Sequence, residues 1–285
     1  MVNPEDVKKY YDEGFLVIPN FLTLQEVDLL KSECTKVIEK MNPSDTSVIH
    51  VGSYERGDEY YMESASKIHF FFEADSVDDE GELIIPKEDA VEKVAHALHL
   101  CNDVFKKFTF SRKVKDLLKK LGFVDPVVTQ SMYIFKHPRI GAEVIPHQDA
   151  TFLHTVPDSN LVGLWFPIED ATLQNGCLHF VPGSHKGEVY KRYVRNFDGT
   201  NSMKTVLTPP NYTDEDWVPA IAPKGSCVLI HGKVFHKSEK NLSTKPRPAY
   251  TFHIVENYNT VYSKENWVQP PPDSSFVSVY DTEVE

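Results

Sequence analysis

Apolar and polar positions alternate with two different periods along this chain. In the first part, Val27, Leu30, Cys34, Val37 and Met41 recur at helical spacing, which predicts an amphipathic helix packed on a core. Thr23 and Glu26 mark its start as a capping box, in which the threonine oxygen takes the amide three residues on and the glutamate returns to the cap amide. Just before it, Gly14-Phe-Leu-Val-Ile-Pro19 reads as a short buried strand. Further helices are expected over residues 89–100 and 111–121, the second with Val114, Leu117, Leu118 and Leu121 on one face and Gly122 as its stop. Residues 44–82 read as irregular. Their acidic run from Glu73 to Glu82 lacks the ligand spacing of an EF-hand and is expected to be a solvated loop.

From Pro126 onward the period shortens to that of strands rich in Val, Ile, Phe, Tyr and Trp, at 127–136, 161–168, 177–181, 225–230 and 249–255. Helices first and regularly punctuated strands afterwards predict a mainly β fold with a helical buttress, its core a jelly roll of the cupin type. One domain is expected over 1–285. It comprises a mainly helical part (1–125), a β core (126–260) and a C-terminal tail (261–285). The polar insert at 186–217 interrupts the strand rhythm and is expected to be a long loop or lid over the mouth of the core.

Composition narrows the function classes. With 41% hydrophobic and 25% charged residues the chain is of ordinary globular make-up, and no apolar run is long enough to span a bilayer. A formal charge of −12 argues against nucleic acid as a partner, because phosphate binding needs a basic footprint. Cys34, Cys101, Cys177 and Cys227 are scattered, with no Cys-x-x-Cys pair. The N-terminus has no apolar signal core and the C-terminus is not a Ser-Lys-Leu address, so a cytoplasmic location is expected.

The chemistry is concentrated in a few polar residues. His147 and Asp149 lie two apart, so on an extended strand end both side chains point to one face and can reach one metal. Alone, the pair is the common pattern of a surface loop. Downstream, His231 and His236 compete for the third ligand position, and His236 is preferred because Ser238 shares its side of the strand and Arg247 follows one strand later. Two imidazoles and a carboxylate on one face of a metal leave positions open, as in non-haem Fe(II) oxygenases. Arg247 offers a planar fork of donors that can hold a carboxylate at two points. His96, His99, His154, His179 and His253 read as core or surface residues.

Together these residues resemble the phytanoyl-CoA dioxygenase family of Fe(II)/2-oxoglutarate oxygenases. Residues 14–22 followed by Thr23-x-x-Glu26 are similar to its N-terminal signature, and Glu92-Lys93-Val-Ala-His96-Ala-Leu-His99 to its co-substrate helix. Asn175-Gly-Cys-Leu-His-Phe-Val-Pro-Gly-Ser-His185 is similar to its central strand and turn, and the run from His231 to Arg247 completes the set. The resemblance implies a double-stranded β-helix in which His147, Asp149 and His236 hold iron. It also implies that Arg247 and Ser238 take the far carboxylate of 2-oxoglutarate, with Lys93, Met132 and Trp165 lining the same pocket. Spacing alone singles out none of those last three, since Lys93 on a helix reads as solvated and Met132 and Trp165 as core. The implied activity turns 2-oxoglutarate and O2 into succinate and CO2, coupled to hydroxylation of a small metabolite or an acyl-CoA. A 2-oxoglutarate-binding sensor and a non-oxidative metal cupin with the same ligands are the alternatives.

Overall fold

Helix α1 (Pro4–Glu13) opens on Asn3, whose side chain accepts the amides of Glu5 and Asp6, and closes on Gly14 in the left-handed region at φ 87°. The computed structural model describes residues 2–42, 59–78, 82–271 and 273–284, together with the backbone of 47–49. Strand β1 (Phe15–Ile18) follows, then helix α2 (Leu24–Glu39). The capping box of α2 is formed, with the Thr23 amide 2.7 Å from Glu26 Oε2 and the Glu26 amide 3.2 Å from Thr23 Oγ1. The helix buries Val27, Leu30, Cys34 and Ile38, so Ile38 rather than Val37 carries its apolar stripe.

The next segment departs from expectation. After β2 (Ser47–Ile49) and helix α3 (Glu59–Glu63), the chain forms β3 (Ile68–Glu73) within the stretch expected to be irregular. Of the acidic run, residues 79–81 lie outside the described residues. The helix expected at 89–100 is a single turn, α4 (Lys87–Ala90), followed by strand β4 (Val91–His96) and a second turn, α5 (Leu98–Cys101). Lys93 is therefore on a strand, and the motif likened to a co-substrate helix is extended. Val91 and Val94 are β-branched, and β4 exchanges ladder bonds with β3 on one side and β5 (Pro126–Ile134) on the other, which outweighs the weak helical period. Helices α6 (Asp103–Thr109) and α7 (Arg112–Lys120) complete the buttress, α7 ending before Gly122 at φ 85°.

The remaining strands are β6 (Val144–His147), β7 (Thr155–Val156), β8 (Leu161–Pro167), β9 (Leu178–Phe180), β10 (Lys191–Arg195), β11 (Asn201–Thr205), β12 (Val218–Ala220), β13 (Cys227–His231), β14 (His236–Ser238), β15 (Ala249–Glu256), β16 (Val261–Tyr262) and β17 (Val277–Ser278), the last paired with β5. They build a double-stranded β-helix. The major sheet runs β1-β13-β8-β15-β5-β4-β3-β2 and the minor sheet β12-β9-β14-β6. The outer face of the major sheet presents Val128, Tyr133, Leu164, Phe166, Tyr250 and Phe252 to the helices, in one cluster with Leu30, Phe105, Phe108 and Leu118. Its inner face meets the minor sheet, as where Phe15 stacks on Phe180 at 4.3 Å. Central strands β8 and β15 are buried along their whole length, which is why they read as almost continuous apolar runs. The insert at 186–217 is more ordered than a loop, since β10 and β11 pair as a hairpin from Lys191↔Thr205 to Arg195↔Asn201. Among the described residues, no helix is long and apolar enough to cross a membrane.

Candidate metal centre

Strands β6 and β14 are neighbours in the minor sheet, and their register sets His147 directly opposite His236. Asp149 follows two residues after His147, at the start of a single 3-10 turn. Its Oδ1 lies 3.6 Å from His147 Nε2 and 3.6 Å from His236 Nε2. Each imidazole is oriented through its other nitrogen. His147 Nδ1 donates to Ile145 O at 2.8 Å and His236 Nδ1 to Val234 O at 3.1 Å, which leaves both Nε2 lone pairs turned toward the carboxylate. These three residues can hold a metal ion, with ligand atoms within 4.8 Å of one another.

Burial works on the charges in opposite directions. It pushes the Asp149 carboxyl up, but His253, His236 and His147 outweigh it and hold the group well below its usual range. Burial, with His147 beside it, brings His236 down to about 4. Neutral imidazoles and an ionised carboxylate are the protonation states a metal requires. His231, the rejected candidate, ends β13 with its Nδ1 accepting the Lys233 amide at 3.1 Å, away from this cluster.

The major sheet faces the triad with residues spaced in twos along each strand. One cross-strand row holds Gln130, His253 and Gly163, and the next holds Ala95, Met132, Thr251 and Trp165. The row beyond holds Lys93, Ile134, Ala249 and Pro167. The first row touches the triad. His253 Nε2 lies 3.2 Å from Asp149 Oδ2, at an angle short of a good hydrogen bond, while its Nδ1 lies 3.3 Å from Gln130 Nε2. A Cβ at Gly163 would stand 3.2 Å from Asp149 Oδ2, so the carboxylate occupies the space a side chain would take. His253 was read from sequence as core or surface. Counting in twos from Arg247, just before β15, through Ala249 and Thr251 finds it.

Arg247 is 2% exposed, and its Nε and Nη1 have no hydrogen-bond partner. Its guanidinium lies over the Trp165 ring at 4.9 Å, folded back to the second row, which is one two-residue step or about 7 Å from the row that touches Asp149. Burial brings its pKa down to about 10, still cationic at neutral pH. Lys93 Nζ lies 5.5 Å from the Phe71 centroid and 3.9 Å from Glu92 Oε1. Ser238 is buried, and its hydroxyl donates to Gly176 O at 2.8 Å. The structure thus brings Lys93, Met132, Trp165 and Arg247 onto one face opposite the triad. It commits the Ser238 proton elsewhere.

A cavity of about 720 Å³ lies on the outer side against α2, Tyr133 and Phe135 and includes none of the triad. Another, about 470 Å³, is lined by His147 of the triad but not by Asp149 or His236.

A sequence profile described as phytanoyl-CoA dioxygenase (PhyH) matches residues 10–249. The chain is 42% identical over 288 residues to phytanoyl-CoA dioxygenase domain-containing protein 1 of Danio rerio, covering 98% of this chain and 99% of that one. Its fold is similar to EctD from S. alaskensis, solved with 2-oxoglutarate and 5-hydroxyectoine, with a TM-score of 0.63 and 15% identity over 97% of this chain and 83% of that one. It is also similar to the epimerase SnoN in complex with Fe3+, alpha ketoglutarate and nogalamycin RO. There the TM-score is 0.62 and the identity 14%, over 95% of this chain and 91% of that one.

Proposed function

This chain belongs to the phytanoyl-CoA dioxygenase family, and from that premise we propose that it is an Fe(II)- and 2-oxoglutarate-dependent dioxygenase. It converts 2-oxoglutarate and O2 to succinate and CO2 and hydroxylates a small metabolite or an acyl-CoA. The ligands are His147, Asp149 and His236. Two nitrogens and one carboxylate oxygen from one side suit ferrous iron with open positions, and two proteins of similar fold are solved with 2-oxoglutarate, one of them also with Fe3+. Bound iron supplies the O2 chemistry, and the protein supplies orientation and a dry site.

The observation that carries the co-substrate is the buried Arg247 guanidinium with unpartnered donors. A buried cation without an anion is costly, and a carboxylate held at two points offsets that cost. The separation of about 7 Å between its row and the Asp149 row matches the reach of a five-carbon dicarboxylate. Trp165 forms one wall beneath the guanidinium and Met132 lies two strands away in the same row. Lys93, which lies over Phe71 and makes a long contact to Glu92, adds a second cation to that end. For Ser238 to join Arg247 on the carboxylate, its hydroxyl turns from Gly176 O. The four unpaired thiols are in keeping with a cytoplasmic location.

Anaerobic calorimetry of 2-oxoglutarate into the Fe(II)-loaded protein tests the reading. Arg247→Ala should weaken binding about 10- to 100-fold, the worth of hydrogen bonds to a charged group. Unchanged affinity would remove Arg247 from the role, and tight binding without succinate formation would favour a sensor.

A further inference from the structure

The cleft beside His147 is built largely by the insert, and Phe152, Tyr190, Tyr212, Trp217 and Phe235 give it an aromatic lining among prolines and polar residues. Its buried lining is Gln148, Thr151 and Phe235, beside the half-buried His147, and its exposed rim is formed by Lys191, Pro210, Asn211 and Asp214. Between them stand the half-buried rings of Phe152, Tyr190, Tyr212 and Trp217. Tyr212 meets Phe235 edge-on at 5.2 Å and Trp217 at 6.2 Å, Tyr190 lies 5.7 Å from Phe235, and Phe152 lies 6.0 Å from His147.

The polar groups of this cleft are mostly engaged within the protein. Gln148 donates to Glu188 O and Lys233 O, and its oxygen accepts the Tyr190 amide. That ties the start of the insert to the strand that carries His147. Lys237 pairs with Glu239 at 2.8 Å and lies over Trp217 at 5.0 Å. Among the described lining residues this leaves Lys191 and Asp214, of opposite sign, both at the rim. A coenzyme A group carries several phosphate charges and needs a cluster of cations. The chain as a whole has a net charge of −12, so no general positive field makes up for their absence.

We propose that this cleft holds the prime substrate, and that the substrate is a compact, ring-bearing molecule without net charge rather than a coenzyme A thioester. This rests on the dioxygenase reading above. The aromatic residues of the insert stack on the ring, and the C–H bond to be oxidised lies at the His147 end. A cavity of about 470 Å³ is within the range of small-molecule sites.

The test titrates 2-naphthol, an uncharged fused ring, and octanoyl-CoA into the iron- and 2-oxoglutarate-loaded full chain under anaerobic conditions. The expected result is saturable 2-naphthol binding that weakens about tenfold in Trp217→Ala and in Tyr212→Ala and recovers in Trp217→Phe, as stacking predicts. Octanoyl-CoA should not saturate. Saturable octanoyl-CoA binding that falls in Lys191→Gln would overturn the proposal, as would 2-naphthol binding indifferent to both alanine variants. Recovery in the Phe variant separates lost stacking from lost folding. A parallel 2-oxoglutarate titration keeps the two readings apart, because failure there with 2-naphthol still bound counts against the dioxygenase and not against the cleft.

Discussion

Asp149 is flanked on two sides, with the imidazoles of His147 and His236 each 3.6 Å from one oxygen and that of His253 3.2 Å from the other. A carboxylate steered in this way presents its lone pair at one angle, and such supporting groups are typically worth 10- to 100-fold in metal affinity. His253→Ala should therefore weaken Fe(II) binding by about that factor in a chelator competition, with unfolding temperature little changed. Equal affinity would leave His253 as filler. Gly163→Ala approaches the same carboxylate, since its Cβ would press on Asp149 Oδ2 at 3.2 Å and His253 Nε2 at 3.4 Å. It should lower iron affinity in the same assay, and an unaffected site would mean that the carboxylate has room to shift. At this scale much of the site was legible from sequence, because the His147-x-Asp149 spacing, His236 and Arg247 each carry a chemical constraint. His253 was not, because a histidine in an apolar strand has no distinguishing pattern until its strand is set in register with its neighbours.

Among the elements, those with a strong local signal were read well and those that depend on pairing were not. The capping box of α2 is a local signal, and Thr23→Ala should cost about 1 kcal/mol and lower the unfolding temperature by about 2–4 °C. A calorimetric scan without such a shift would mean that the cap contributes nothing beyond what water supplies. Strand β4 shows the opposite case. Its sequence, Val91-Glu-Lys-Val-Ala-His96, fits either period, and only ladder bonds to β3 and β5 decide for a strand. That choice turns Lys93 to the face it shares with Met132 and Trp165. The hairpin of the insert was missed for a similar reason, since Lys191 to Arg195 and Asn201 to Thr205 are too polar to read as strands, yet they pair over their full length.

For the whole molecule, burial of charge sets how stability depends on pH. Glu73, 2% exposed at the end of β3, is raised from 4.5 to about 7 by burial and by Glu92, against the pull of the Ala142 amide, Lys136 and Lys93. A carboxyl raised in the folded state holds its proton longer there than in the unfolded chain, so its contribution is complete below 4.5 and is lost as pH rises toward about 7. Glu73→Gln should therefore raise the unfolding temperature most at neutral pH, with the gain shrinking as pH falls toward the ordinary carboxyl value. A gain that grew on acidification would contradict the assignment. Lys136, brought down to about 7 by burial and Arg247, acts above that window and leaves the acid limb to Glu73. The same closely packed double-stranded β-helix brings the triad, the buried guanidinium and the aromatic cleft together from separate strands and the insert. The most direct test of the central claim is NMR observation of 2-oxoglutarate supplied with Fe(II) and O2. The wild-type protein should convert it to succinate and Asp149→Ala should stay at the protein-free rate, whereas equal succinate from both would contradict the assignment of this triad as the iron site.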